Sequence, residues 1–319
     1  MKKLPSALKD GLVGFSIGTA SLIPGISGGT MAYIFGSYQK LTHAIGNIFK
    51  NFWKNLLILL PFVIGIIVSL VGLYFPLHLA FEHFLFAIIV LFGGFIIGSF
   101  PNIIEPIRHE KVTVSNVTIA IICFVIAAII GVFSVIFDFG SAINSLFDQK
   151  EWYLYIIIFF VGIIGAAGLI VPGISGSMIL LVIGFYFSIF ALPSNILKGE
   201  AVLENIILLA IFALGVAVGF LAFSKLMDFV LTKYRTKAGY AILGFIAGSL
   251  ISIFCNSEVF TYLNSKPDLL LDIILSPIFL IIGIATSLTI YFISKKKKKE
   301  EAKNATNQRT IPRNEKSSS

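Results

Sequence analysis

Two short segments rich in Pro, Gly and Ser carry the residue types best suited to chemistry in this chain. They are Pro24-Gly25-Ile26-Ser27-Gly28-Gly29-Thr30 and Pro172-Gly173-Ile174-Ser175-Gly176-Ser177, and each interrupts a long apolar stretch. Proline and glycine favour the end of a helix, and the hydroxyl residues stand where a following helix would begin. Free N–H groups, the positive end of a helix and hydroxyl donors then converge. This combination suits an anion such as a phosphate or carboxylate.

The composition places these segments in a membrane. The chain has 319 residues, of which 57% are hydrophobic and only 13% charged, and its mean hydropathy is +0.96. Soluble domains are roughly one quarter charged, so this composition indicates an integral membrane protein. An unsatisfied backbone group in lipid costs several kcal/mol. A helix broken at membrane depth must therefore line a cavity or pack inside protein.

We therefore predict a phosphate-binding site built from both segments. Backbone N–H groups around each serine would bind the oxyanion, and the hydroxyls would add donors. The predicted residues are Pro24, Gly25, Ser27, Gly28, Gly29, Thr30, Pro172, Gly173, Ser175, Gly176 and Ser177. The alternative for these small residues is close helix packing. Arg108, in a polar loop, is a further candidate to guide an acidic headgroup, with a simple surface charge cluster as the alternative.

Other reactive residues predict no further site. Cys123 and Cys255 fall in separate apolar segments without metal-ligand spacing, so we predict no metal and no cofactor. We expect His78, Glu82 and His83 in a short loop between two spans. No acidic residue falls in the middle of a predicted span, so the sequence assigns no proton or sodium relay.

The apolar segments predict an all-α, polytopic membrane protein. It would consist of two inverted repeats, each with a broken or re-entrant helix pair followed by three spanning helices. The block Gly94–Ser99 matches Gly244–Ser249 at nearly the same offset as the two motifs, which favours duplication. The expected units are residues 1–137 (first repeat), 138–152 (connecting loop), 153–293 (second repeat) and 294–319 (basic, disordered cytoplasmic tail).

Charge counting predicts the orientation of these repeats. With three spans after each motif, almost all basic loops and both termini fall in the cytoplasm, leaving Lys150, Lys198 and Lys266 outside. An odd number of spans inverts the second repeat, so the two motifs would meet near the midplane from opposite faces. The basic run Lys295–Lys299 directly follows the last span, which indicates contact with anionic membrane lipids rather than nucleic acid.

At these motifs the chain resembles the bacterial polyprenyl-phosphate (undecaprenyl-phosphate) transporter family, formerly a domain of unknown function. The resemblance rests on Ile23–Thr30, Pro172–Gly176 and Gly94–Ser99, and it covers most of the chain up to Ile293. It implies a flippase, not an enzyme, in the bacterial cytoplasmic membrane. Such a flippase returns undecaprenyl phosphate, the lipid carrier of wall-polymer synthesis, to the cytoplasmic leaflet.

Two rival functions share parts of this pattern. Membrane polyprenyl-pyrophosphate phosphatases have a similar Pro-Gly-X-Ser motif, but there an Arg follows the Ser and paired glutamates act nearby. Here Gly28 and Gly176 follow the serines, and no glutamate lies near either motif. An inorganic-anion channel or exchanger is the second rival, because helix N-termini also select small anions. The pattern assigns no oligomeric state.

Overall fold

The computed structural model describes residues 6–23, 26, 28–46, 50–170, 175–265 and 269–310. Within these ranges the regular elements are helices and there is no strand, so the predicted all-α class is confirmed. In chain order the helices are α1 (Ser6–Leu22), α2 (Gly28–Ile34), α3 (Tyr38–Gly46), α4 (Phe52–Ile104), α5 (Val114–Ile136), α6 (Phe139–Gln149), α7 (Trp152–Ile170), α8 (Gly176–Val182), α9 (Tyr186–Leu197), α10 (Val202–Lys233), α11 (Arg235–Phe254), α12 (Ser257–Ser265) and α13 (Leu270–Thr310). A short 3-10 turn covers Glu105–Ile107.

Helix length and hydropathy make this a multi-pass membrane protein. Among the described residues, five helical segments are long and apolar enough to cross a bilayer. The pair α8 and α9 bends by 106° at its break, as a broken span or a re-entrant helix pair does. Large apolar side chains such as Val71 and Ile281 stay about 70% and 66% exposed, as expected for surfaces that face lipid.

The loop predicted around His78, Glu82 and His83 is wrong. Helix α4 continues through all three residues, and only Phe84 has non-helical backbone angles, with φ −139° and ψ 40°. His78 Nε2 lies 3.3 Å from Glu82 Oε1, an i,i+4 pair that fits a helix. Polar residues near a kink between two apolar stretches resemble a loop in sequence, although here only Phe84 departs from helical backbone angles.

The basic tail also differs from the prediction. The segment 294–319 was expected to be disordered, but α13 continues as a helix through residue Thr310. Lysine and glutamate are good helix formers, and extending an existing helix avoids the cost of nucleation. Residues 311–319 lie outside the described part of the chain.

Glycines bring the helices close together at two related crossings. A Cβ atom at Gly14 of α1 would lie 2.2 Å from the carbonyl oxygen of Phe62 in α4. A Cβ atom at Gly162 of α7 would lie 2.4 Å from the carbonyl oxygen of Phe212 in α10. The sequence offsets are 148 and 150 positions, so α1 packs on α4 as α7 packs on α10.

A second pair of crossings joins the two halves of the chain. A Cβ atom at Gly94 would lie 2.5 Å from the carbonyl oxygen of Leu280, and one at Gly244 would lie 2.0 Å from that of Ala120. The later part of α4 therefore packs on α13, and α11 packs on α5. Each half thus packs a helix against the last long helix of the other half.

Charge separates the two ends of the helix bundle. We call one end the basic end; it contains residues 105–113, 233–237 and 295–299. Lys295 Nζ lies 2.8 Å from Glu105 Oε1 there, and Lys297 Nζ donates to the Ile34 carbonyl oxygen at 2.8 Å. At the other end α6 contacts both α12 and α9: Asn144 Nδ2 donates to Glu258 Oε1 at 2.7 Å, and Ser188 Oγ donates to Asn144 Oδ1 at 3.1 Å.

Candidate functional site

The first motif lies between the end of α1 and the start of α2. Gly28, Gly29 and Thr30 form the first turn of α2. A Cβ atom at Gly28 would lie 3.0 Å from the Ile17 side chain, so this turn packs directly on α1. Ile26 is buried between the two helices at 6% exposure. The predicted site residues Pro24, Gly25 and Ser27 lie outside the described residues.

The second motif repeats this arrangement between α7 and α8. Ser175 precedes the first turn of α8 with extended backbone angles, φ −105° and ψ 141°, and its side chain makes no capping hydrogen bond. Its hydroxyl bonds instead to that of Ser177 at 2.7 Å, and both residues are buried. This contact uses one of the two hydroxyl protons. The predicted residues Pro172 and Gly173 lie outside the described residues.

The ends of the two broken segments meet in one core. The Tyr186 hydroxyl at the start of α9 donates to the Leu22 carbonyl oxygen, the last residue of α1, at 2.9 Å. Ile26 from the first break shares a buried apolar cluster with Met178 and Ile179 from the second. The structure thus brings the neighbourhoods of both motifs together, although they are 148 positions apart in sequence.

The turns that follow the two motifs also match. Gly36 and Gly184 have φ angles of +74° and +84°, which other residues adopt only with strain. Tyr38 and Tyr186 then begin α3 and α9. Each broken segment therefore consists of a seven-residue helix, a left-handed glycine turn and a further helix.

Two residues that the site prediction did not include, Ser249 in α11 and Asn256 just after it, make polar contacts to α8, the helix that follows the second motif. Asn256 Nδ2 donates to the Leu181 carbonyl oxygen of α8 at 3.4 Å, and Ser249 Oγ lies 3.6 Å from Met178 Sδ. Ser99, the residue that matches Ser249, is also buried, and both hydroxyls donate to the carbonyl three residues earlier. The repeated Gly-Phe-Ile-X-Gly-Ser block was the sequence signal for these serines.

Arg108 is not drawn into the motif region. It is exposed in the turn after the Glu105–Ile107 segment, and its N–H donates to the Glu105 carbonyl oxygen at 3.5 Å. Another basic residue, Arg235 at the start of α11, lines three adjoining cavities at the same basic end. The role suggested for Arg108 stays a prediction.

Two buried carboxylates, Asp10 and Asp272, were not identified from the sequence because both lie near the ends of apolar segments, where an acidic residue is expected to be exposed. Asp10 is 6% exposed and forms an ion pair with Lys40, which also approaches the ring of Phe62. Asp272 is 1% exposed, and its Oδ1 accepts a hydrogen bond from the Ala87 N–H at 2.9 Å. Among the residues described by the structure, no group of three or more His, Cys, Asp or Glu side chains could hold a metal ion.

Comparison with known proteins agrees with the resemblance seen in the motifs. The chain is 29% identical to the polyprenyl-phosphate transporter of Staphylococcus aureus (strain NCTC 8325 / PS 47) over 283 residues, which cover 88% of this chain and 94% of the relative. It is 28% identical to the polyprenyl-phosphate transporter of Vibrio cholerae (serotype O1, strain El Tor Inaba N16961) over 272 residues, or 81% of each chain. No solved structure matches the chain significantly.

A family model matches most of the same region. It is described as VCA0040-like, undecaprenyl phosphate translocase-like, and it matches residues 17–268, which include both motifs and the helices between them. This match confirms the family predicted from the two Pro-Gly-Ile-Ser-Gly segments. The chain therefore belongs to the VCA0040-like family of undecaprenyl phosphate translocase-like proteins.

Proposed function

We propose that this protein is a flippase that carries undecaprenyl phosphate across the bacterial cytoplasmic membrane and returns it to the cytoplasmic leaflet. The observation that carries the proposal is the meeting of the two broken segments in one buried core, through the hydrogen bond from Tyr186 to Leu22 and the packing of Ile26 near Met178. The names of two relatives, both polyprenyl-phosphate transporters, support the substrate class.

The chemistry of the motifs suits a phosphate headgroup. Moving an ionised phosphate through hydrocarbon without help faces a Born penalty of tens of kcal/mol. Backbone N–H groups at the starts of α2 and α8 would offset that penalty, together with the hydroxyls of Ser27, Thr30, Ser175 and Ser177. Ser175 and Ser177 already lie side by side and are buried. Because the substrate is carried and not cleaved, the protein needs no catalytic residue.

The paired helix crossings support a rocking mechanism. In our proposal residues 1–137 and 153–293 are inverted repeats, and each motif enters from one face of the membrane. Glycine crossings at related positions, such as Gly14 with Phe62 and Gly162 with Phe212, support the duplication. The halves would rock about the shared core, and the headgroup would pass between motifs while the prenyl chain stays in lipid.

The test is headgroup translocation in proteoliposomes that contain the purified protein and undecaprenyl phosphate. We expect Ser27→Ala with Ser175→Ala to slow translocation at least about tenfold, since a hydrogen bond to a charged group is worth about 1.5–3 kcal/mol. Ser134→Ala is the matched control, because Ser134 is also buried but lies in α5. Equal rates for the wild type and the double variant would contradict headgroup binding by the motifs.

A further inference from the structure

The basic end contains a cavity whose charge is strongly one-sided. The cavity has a volume of about 590 Å³ and lies between the start of α5 and the junction of α10 with α11. Four permanent cations line it, against one carboxylate, Glu110: Lys111, Lys233, Arg235 and Lys237. All four side chains are exposed. Lysines and arginines gathered around one concave surface attract and hold anions.

Backbone groups add to the positive potential of this cavity. Helix α5 begins beside it, where the Thr113 hydroxyl accepts the Asn116 N–H at 3.3 Å. Helix α11 also begins beside it, and its N-cap residue, Tyr234, makes no side-chain capping hydrogen bond. The first N–H groups of a helix have no partner within the helix and carry its positive dipole end.

The related position in the other half holds an anion supplied by the chain itself. Phe84 precedes Tyr234 by 150 positions, and the two have nearly the same backbone angles, φ −139° and ψ 40° against φ −129° and ψ 36°. After Phe84, the Ala87 N–H donates to the Asp272 carboxylate at 2.9 Å.

The register of the helix crossings shows that no residue equivalent to Asp272 supplies a carboxylate at the turn between α10 and α11. Leu280 faces Gly94 as Ala120 faces Gly244, so α13 and α5 are related by 160 positions. Asp272 therefore corresponds to Val112, an exposed residue without charge. The bend at Phe84 contains the buried carboxylate of Asp272, whereas the turn at Tyr234 opens to a cavity lined by four cations, and the one carboxylate there, Glu110, is exposed.

We propose that this cavity binds the phosphate ester headgroup of a lipid in the adjacent leaflet. A lipid fits better than a free ion because apolar side chains of the neighbouring spans, including Val114 and Phe229, are exposed beside the cavity. Lys233 Nζ lies 5.5 Å from the ring centre of Phe229 and 5.4 Å from that of Tyr234, which directs its charge toward the apolar surface.

Arg235 is shared between this cavity and its neighbours. It lines the 590 Å³ cavity and a neighbouring cavity of about 410 Å³, where Lys295 is already paired with Glu105 at 2.8 Å. A guanidinium at the shared wall can donate two parallel hydrogen bonds to one phosphate. The site is separate from the two motifs, and its existence does not depend on transport.

The experiment measures lipid binding to the full-length protein in detergent by native mass spectrometry. The added probes are phosphatidylglycerol, geranylgeranyl phosphate, phosphatidylcholine and inorganic phosphate. We expect at least one of the two anionic lipids to bind more tightly than phosphatidylcholine and inorganic phosphate. The preferred anionic lipid then identifies whether a membrane phospholipid or a prenyl phosphate occupies the site.

Variants at the cavity decide whether this binding occurs there. Lys237→Gln and Arg235→Gln should each weaken binding of the anionic lipid about fivefold, the effect of one basic residue near an anionic surface. Lys198→Gln removes a charge at the opposite end of the bundle and should leave the binding of the anionic lipid unchanged. Because Lys237 is exposed, Lys237→Gln should fold normally, and it can be measured even if Arg235→Gln does not fold.

A further variant separates this site from the transport motifs. The double variant Ser27→Ala with Ser175→Ala should keep the Lys237-dependent binding even if it no longer transports. Equal lipid binding by the wild type, Arg235→Gln and Lys237→Gln would overturn the proposal. Binding of inorganic phosphate as tight as that of the preferred anionic lipid, or no preference for anionic lipids in the wild type, would overturn it too.

Discussion

At the scale of single residues, Asp272 replaces a backbone hydrogen bond that the bend of α4 breaks. In an unbroken helix the Ala87 N–H would bond to the His83 carbonyl oxygen. Here that N–H donates to Asp272 Oδ1 at 2.9 Å, while the Tyr262 hydroxyl lies 2.8 Å from the His83 oxygen and 2.6 Å from Asp272 Oδ2. Helices α4, α12 and α13 are thereby joined at a point where the Ala87 N–H is buried in protein and needs an acceptor there.

We expect Asp272→Ala to lower the free energy of unfolding by about 1–3 kcal/mol, because it leaves a buried N–H without its acceptor. Asp272→Asn should cost less, since its amide oxygen can still accept from Ala87. The midpoint of thermal unfolding in detergent micelles measures both changes. Asp148→Ala, at an exposed position in α6, is the control. The role given to Asp272 is refuted if Asp272→Ala and Asp148→Ala unfold at the same temperature.

At the scale of helices, glycine decides which faces pack together. Bilayer hydrocarbon is as apolar as leucine, so helices in a membrane associate through close backbone approach more than through burial of apolar area. The crossing of α11 on α5 uses Gly244 and Gly248, whose Cβ atoms would lie 2.0 and 2.2 Å from carbonyl oxygens of α5. Close helix packing through small residues, which was the alternative role predicted for the motif glycines from the sequence, therefore applies to these long helices.

The glycine crossings yield a prediction for α11. Gly244→Ala should destabilise the protein by about 1–3 kcal/mol, because the new methyl group would overlap a backbone oxygen and force the helices apart. Gly72→Ala in α4 is the matched control: no atom lies within 4 Å of its Cβ position, so alanine there should be neutral or stabilise by up to about 1 kcal/mol. The midpoints of thermal unfolding in detergent micelles, together with chemical cross-linking, compare the Gly244→Ala and Gly72→Ala variants with the wild type. Similar midpoints would argue against tight packing at this crossing.

At the scale of the whole molecule, the two ends of the bundle differ in charge. The basic end combines Arg108, Lys111, Arg235 and the Lys295–Lys299 run, whereas acidic residues such as Glu258 lie at the other end. Basic residues near membrane spans stay on the cytoplasmic side. We therefore expect the basic end to face the cytoplasm.

Single-cysteine labelling in intact cells tests this orientation. After Cys123→Ala and Cys255→Ala, Lys198→Cys should react with a membrane-impermeant maleimide, whereas Lys299→Cys should react only after the cells are permeabilised. Both positions are exposed, so access to the side chain does not limit the reaction. Labelling of Lys299→Cys in intact cells, with Lys198→Cys protected, would reverse the orientation.

Patterns along the sequence predicted the local features of this molecule. Long apolar segments predicted the spans, Pro-Gly-Ile-Ser-Gly predicted the two helix breaks, and the matched positions of Gly36 and Gly184 coincide with two left-handed turns. Each depends on residues that are close together in the sequence. Local preference alone was misleading at His78 and His83, because continuing the helix costs less than the loop that their polarity suggested.

The sequence by itself determined that this is an all-helical, multi-pass membrane protein with a repeated helix break and one-sided charge, because hydropathy, helix breakers and charge act locally. Only the tertiary structure decided which helices cross. It decided that Asp272 accepts the hydrogen bond of the Ala87 N–H at the bend of α4, whereas the related turn before Arg235 opens to a cavity. It also decided that Leu22 and Tyr186 meet. These contacts join residues that belong to different helices and lie far apart in the sequence, and their partners are selected by the fit between backbones in three dimensions.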